Sequence, residues 1–287
     1  GGHLADGGHH TNGGHLGAHT DAGEGSGDGQ EGGQQGWQKA NKKKNRGQAK
    51  TKAKAKTKAQ GILCMNNGKQ LMLAWHLYNG DNGDKLVASL AQGGRPVWIE
   101  GNLDFTSPDS TNNKYITNGP LFRYGGNSFA IYKCPADRSY VMIGGRRLPR
   151  VRSLSLSQAM NSRDDWMSFL TKKKYTVFRK FSDLTAMGSS RAFVFIDEHP
   201  DGINFGDVAV AMNDGLPPAG IYIIDYPAST HNGSGGMSFA DGHAEVHKWQ
   251  DARTKLPWKN ASMTLVVASP NNNDMAWLSE RTSVPLP

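Results

Sequence analysis

Residues 1–36 hold 14 glycines and almost no branched or aromatic side chain, so whatever core this chain builds has to come from residues further on. The same stretch carries five histidines and five acidic residues but no Lys or Arg. Residues 37–60 reverse that balance, with ten Lys+Arg and no acid. The remaining residues, 61–287, carry 23 basic and 20 acidic side chains, so the formal charge of +8 belongs to a short segment rather than to the bulk of the chain. The composition predicts a tail over 1–45, disordered and Gly/His-rich and then Lys-rich, ahead of a folded head over 46–287. His3, His9, His10, His15 and His19 lie in that tail and could capture a metal only adventitiously.

The run "KANKKKNRGQAKTKAKAKTKAQ" mixes good helix formers with charges that repel one another. By itself it reads as a polybasic arm for nucleic acid or anionic lipid, or as a solvated helical lead-in to the residues after it. Those residues, "GILCMNNGKQLMLAWHLYNGDNGDKL", place Cys64, Gly68, Leu71, Met72, Trp75 and Tyr78 at steps of three and four. That spacing predicts a helix over about 48–80 with one apolar face, stopped by "NGDNGD". Gly68 inside it costs about 1 kcal/mol relative to Ala.

From residue 90 the texture changes to short runs of β-branched and aromatic character: "PVWIEG", "SFAIYKC", "RVRSLSLS", "RAFVFIDE", "GIYIIDY" and "TLVVAS". Helices are also expected over 157–170 and, behind an Asn/Asp N-cap, over 273–281. A long first helix followed by many short strands reads as α+β. There is no run of about 18 apolar residues to cross a membrane and no apolar stretch of a secretory signal.

Chemistry-bearing residues concentrate in "HNGSGGMSFADGHAEVHKW", residues 231–249. Asp241-Gly242 between two alternating runs predicts a hairpin with a tight type I′ turn. His243, Glu245 and His247 then share one strand face, and with His231 or Asp241 they are candidate metal ligands. Against this stands a plain polar face on a hairpin. Asp197, Glu198 and His199, at a strand end in "FIDEHPDG", form a second candidate ligand set, against which stands the common use of carboxylates there as turn formers. No Gly-x-Ser-x-Gly elbow, HExxH helix or phosphate loop is present, so an enzyme is not expected. Cys64 and Cys134 match neither a zinc knuckle nor a CxxC motif, and counting leaves a structural disulfide and two buried thiols equally open.

A histidine, nine residues and then Asp-Gly (His231 to Asp241-Gly242) resembles the signature of the prepilin-type processing-associated H-X9-DG proteins, bacterial relatives of type II secretion pseudopilins. "KAKTKAQGILCMNNGKQLMLAWHLYNGDNGDKL", "AIYKCPADRS", "RVRSLSLS", "FIDEHPDGIN" and "NDMAWLSERTS" are similar to other blocks of that family in the same order. The resemblance covers about residues 48–283. It implies a pilin-like fold, an N-terminal helix packed on an antiparallel sheet with long loops. It implies a structural, non-enzymatic role, with other pseudopilins and the secretion machinery as partners. It also implies an inner-membrane protein with an exported periplasmic head, in which Cys64 and Cys134 could pair and loop carboxylates (Asp197, Glu198, Asp241) could hold calcium. His231, Asp241 and Gly242 would then be structural, with His231 tying its loop to the Asp241-Gly242 turn. The family's Phe-Thr-Leu-Ile-Glu membrane helix has no counterpart in the sequence, whose front is Gly/His-rich and Lys-rich. The rival readings are a polybasic-tailed nucleic-acid-binding protein and a metal-dependent enzyme using the His231–His247 hairpin.

Overall fold

The computed structural model describes residues 29–91, 93–163, 173–212 and 220–286. The chain divides into two compact units, Gly1–Thr51 and Lys52–Pro287. The described part of the first unit is the leading stretch of helix α1, Gly29–Asp81. Residues 29–45 are therefore helical where the composition predicts disorder. Once a helix is nucleated, extending it costs little, and Ala, Lys and Gln extend it well. Residues 1–28, with the five tail histidines, lie outside the described residues. From Lys39 to Lys58 every basic side chain on α1 is exposed.

In the second unit α1 buries the face predicted for it. Cys64, Leu71, Met72, Trp75 and Tyr78 are all buried, and Gly68 with them. The helix stops at Asp81, and Gly83 and Asp84 follow at φ of +63° and +70°, as an Asn-Gly-Asp stop requires. Among the described residues, no helix is long and apolar enough to cross a membrane.

The partner of α1 is a five-stranded sheet. Its strands are β3 (Leu154–Ser157), β4 (Phe193–Asp197), β5 (Asp207–Val208), β7 (Ser234–Phe239) and β8 (Ala244–Lys248), in the order β5-β3-β4-β7-β8. All neighbours run antiparallel except β5, which is parallel to β3. The fold is therefore α+β with a mixed sheet rather than a purely antiparallel one. Two small antiparallel pairs accompany it: β1 (Tyr140–Ile143) with β2 (Arg146–Pro149), and β6 (Tyr222–Ile223) with β9 (Val267–Ala268), and a single-turn helix α2 (Lys114–Thr117) precedes them.

The sheet separates two apolar cores. One joins α1 (Leu71, Met72, Trp75) to Leu154, Leu156 and Phe195. The other joins Phe193, Ile196, Met237 and Phe239 to Trp249 and to helix α3 (Asn273–Ser279). In strict alternation Phe193 and Phe195 would share a face. The β4–β7 register shifts between them, and they feed opposite cores. That shift decides that Asp197, in step with Phe195, faces α1.

Three sequence expectations are corrected. "SFAIYKC" contains a 3-10 turn, Phe129–Tyr132, not a strand. "PVWIEG" makes only an isolated bridge, Ala88 to Val97. The helix expected over 157–170 is not formed over its described part: Ser157 ends β3, residues 158–163 are irregular, and 164–170 lie outside the described residues.

Candidate functional site

Small residues let α1 approach the sheet closely at one place. A Cβ on Gly68 would stand 3.2 Å from Ser238 Oγ, and one on Gly236 of β7 would stand 2.6 Å from Cys64 Sγ. Cys64 thus projects from the helix directly onto a glycine of the sheet. Two α1 side chains flank it and hold the segment that carries Cys134. Gln60 Nε2 donates to the Pro135 carbonyl at 2.8 Å, and Asn67 Nδ2 donates to the Ala130 and Lys133 carbonyls at 2.8 and 3.1 Å. The Cys134 N–H in turn donates to Ser153 Oγ at 2.9 Å, and that hydroxyl donates to Asp197 Oδ1 at 2.7 Å.

His231 completes the group from the turn before β7. Asn232 and Gly233 take φ of +56° and +78° there, and the His231 N–H donates to the Ser234 carbonyl. Its Nε2 lies 3.2 Å from Cys134 Sγ. The outcome is a cluster of Cys64, Cys134, Asp197 and His231, all buried, with one ligand atom of each within 4.8 Å of every other. Their exposures are 3%, 1%, 1% and 6%.

Electrostatics follow from burial. Desolvation lowers the His231 pKa and so favours the neutral ring, partly offset by the Thr57 backbone. Burial pushes the Asp197 carboxyl up to about 7 against the Ser153 hydrogen bond. The Cys134 thiol is pushed up by its hydrogen bond with Cys64, by burial and by the Asp197 charge. Asp197 Oδ2 and His231 Nδ1 have no hydrogen bond of good geometry; the Cys134 thiol interacts with the Asp197 carboxyl and the Thr57 backbone with the His231 ring. Both cysteines are free thiols here, so the disulfide is a proximity rather than a bond.

The remaining predicted site residues do not join this group. Glu198 follows Asp197 just past the end of β4 but accepts from Ser155 Oγ and is paired electrostatically with Arg152. His243 Nδ1 lies 2.5 Å from Asp241 Oδ1, and its ring stacks on Phe239. His247 Nδ1 lies 3.1 Å from Glu245 Oε1, and its ring stacks on Trp277. The hairpin histidines are thus engaged pairwise on a half-exposed face. Among the described residues, Asp197, Glu198 and Asp241 do not converge as a calcium set would, nor do His231, His243, Glu245 and His247.

The H-X9-DG spacing also reads differently in three dimensions. His231 precedes β7 and Asp241-Gly242 follows it, so the six residues Ser234–Phe239 hold them about 20 Å apart. His231 therefore cannot clamp that turn, and its imidazole goes to Cys134. The turn itself is a three-residue loop: Gly242 N–H donates to the Phe239 carbonyl and Phe239 N–H to the His243 carbonyl. Of the pair, only Gly242 has positive φ, at +92°, as in a type I turn with a G1 bulge rather than a type I′ turn.

A cleft of about 370 Å³ lies alongside, lined by Thr57, Gln60, Ser229, Thr230 and Asn232 among others, and none of the four cluster side chains lines it. All four side chains are buried; donors of these types can ligate a metal, and the two thiols can also be oxidised. Compared with known protein families, with curated proteins and with solved structures, the chain matches none of them.

Proposed function

We propose that this chain is a structural, non-enzymatic subunit of a pseudopilus-like or type IV pilus-like assembly, with a pilin-like head whose partners are other subunits carrying the same kind of helix. The observation that carries this reading is the second face of α1. Ile62, Leu63, Leu73 and Leu77 are exposed at 48%, 53%, 59% and 47%. At 3.6 residues per turn they fall within an arc of about 100°, opposite the arc of Cys64, Gly68, Leu71 and Trp75. A helix that buries one apolar face in its own head and presents another suits a protein whose helices pack against one another. The ordered sequence blocks that resemble the H-X9-DG proteins support the same reading, including a head on the periplasmic side of the inner membrane.

The test is photo-crosslinking from position 73 or 77 in cells producing two differently tagged copies of the full chain. Adducts between the two tags are expected, and Leu73→Asp with Leu77→Asp should abolish crosslinking from a probe at position 63 while leaving the melting temperature unchanged. Absence of any homotypic adduct would overturn the reading. The exposed lysines of α1 favour one alternative, nucleic-acid binding. It predicts an affinity for duplex DNA that falls steeply with salt and is lost when the basic residues of 37–60 become Gln.

A further inference from the structure

We infer that Cys64, Cys134, Asp197 and His231 form a closed, four-coordinate zinc site that staples α1 to the sheet. The inference is independent of the assembly reading. Two thiolates, an imidazole nitrogen and a carboxylate oxygen are a soft-to-borderline donor set of the kind zinc takes, and sulfur excludes calcium and magnesium. Zinc–ligand bonds of about 2.0–2.3 Å in a tetrahedron put donor atoms about 3.3–3.8 Å apart. The four donors already lie within 4.8 Å of one another, and Cys134 Sγ and His231 Nε2 are 3.2 Å apart. Small rotations therefore close the set on a central ion.

Three further observations favour an ion over a merely packed cluster. Asp197 Oδ2 is buried without a hydrogen bond of good geometry, and the side-chain partners of this carboxyl are the Ser153 hydroxyl and the Cys134 thiol, the latter itself one of the four ligands. A metal ligates that atom while Ser153 keeps the other oxygen. The Thr57 backbone interacts with the His231 ring, whose Nε2 faces Cys134, and so supplies the outer-shell contact that orients a ligating imidazole. Ser153, in contact with both the Cys134 N–H and Asp197, orients two ligands at once. With four protein donors and no side chain of the cluster opening to the neighbouring cleft, the site is structural rather than catalytic. The ligands come from α1, the loop after the 3-10 turn, the end of β4 and the turn before β7. One ion would therefore tie together segments 34 to 167 residues apart in the chain.

The experiment uses the full chain, purified anaerobically with a reductant that does not bind metal. Elemental analysis is expected to return one zinc per chain. Replacement by cobalt(II) should give the near-ultraviolet thiolate-to-cobalt band and the intense visible bands of a tetrahedral centre. Cys64→Ser, Cys134→Ser and His231→Ala should each lose the metal or its thiolate band. His243→Ala and His247→Ala should retain both. Ser153→Ala should weaken cobalt affinity about tenfold without changing the stoichiometry. Should any ligand variant fail to fold, the wild-type stoichiometry and cobalt spectrum still decide. Folded wild-type protein that takes up neither zinc nor cobalt overturns the inference. So does a Cys64–Cys134 disulfide, found by mass spectrometry in protein that was never exposed to air.

Discussion

The Asp225 carboxylate accepts the Ala209 N–H at 2.7 Å, yet burial and the neighbouring Asp207 charge push its pKa up to about 7. An acid whose pKa rises from about 3.8 on folding holds its proton better in the folded state, so its stabilisation is complete below about pH 4 and is lost as pH rises through about 7. Asp225→Asn keeps an acceptor for Ala209 and removes the titration. Melting temperatures from pH 5 to 8 should fall for wild type and fall less for the variant. Asp207, pushed up to about 6, and Glu198 keep part of the slope because burial raises them as well. Equal slopes in the two proteins would sink this assignment. Glycines show how far single residues can be read without a partner strand in view. Gly68 reads in sequence as a local cost, and only the structure shows Ser238 against it. Gly236→Ala would push a methyl to 2.6 Å from Cys64 Sγ and should destabilise by about 1–3 kcal/mol in urea titrations. Gly80→Ala, on α1 with nothing within 4 Å of the added carbon, should instead be neutral or stabilise by up to about 1 kcal/mol. The same chemical change is thus expected to have opposite signs at two sites.

At the scale of elements, the stripe on α1, the strands β3, β4, β7 and β8, and helix α3 were legible because each has a period or a cap that depends only on nearby residues. Asn272 illustrates this: its side chain accepts from the Asp274 and Met275 N–H groups, N-cap chemistry of the expected kind supplied one residue before the Asn/Asp of "NDMAWLSER". It also donates to Thr254 Oγ1 and Ser269 Oγ at 3.1 and 3.0 Å, which sequence does not reveal. Asn272→Ala should therefore cost more than an exposed cap, about 2–3 kcal/mol by chemical denaturation; a loss under about 0.5 kcal/mol would mean the buried bonds contribute nothing. The run "SFAIYKC" misled because a short apolar stretch looks the same in a strand and in a buried turn. Its Tyr132 is fully buried, stacked against Trp98, and that contact is made by tertiary packing rather than local preference. The hairpin was legible in place but not in type, because the loop length is set by which residues pair across it. Gly242→Val, forcing a β-branched residue to φ near +92°, should lower thermal stability by about 1–3 kcal/mol, more than Asp241→Ala does.

At the scale of the whole molecule, the candidate site was hidden for a topological reason. Cys64 and Cys134 stood out as a pair and His231 as a motif, but nothing local links positions 64, 134, 197 and 231. Only the packing of α1 onto β4 and β7 brings them together. The same packing sets where the stable body begins. The compact second unit starts at Lys52. Its first polar ties into the rest of that unit are the Thr57 backbone beside His231 and the Gln60 bond to Pro135. Upstream of these, α1 from Trp37 to Lys56 is almost wholly exposed and rich in lysine, so trypsin has sites there whenever the helix frays, and fraying costs little in a helix without a packed face. Limited trypsin digestion should therefore trim the chain to a body starting between about residues 51 and 59, with the buried Arg150 and Arg152 cut only on global unfolding. The fragment is expected to keep the melting temperature of the full chain to within about 2 °C, since no large apolar side chain of either core lies upstream of Cys64. Early cleavage after Arg150 or Arg152, or a fragment that melts well below the full chain, would show that the basic part of α1 contributes to the stability of the body and that the division at Thr51 has the wrong place.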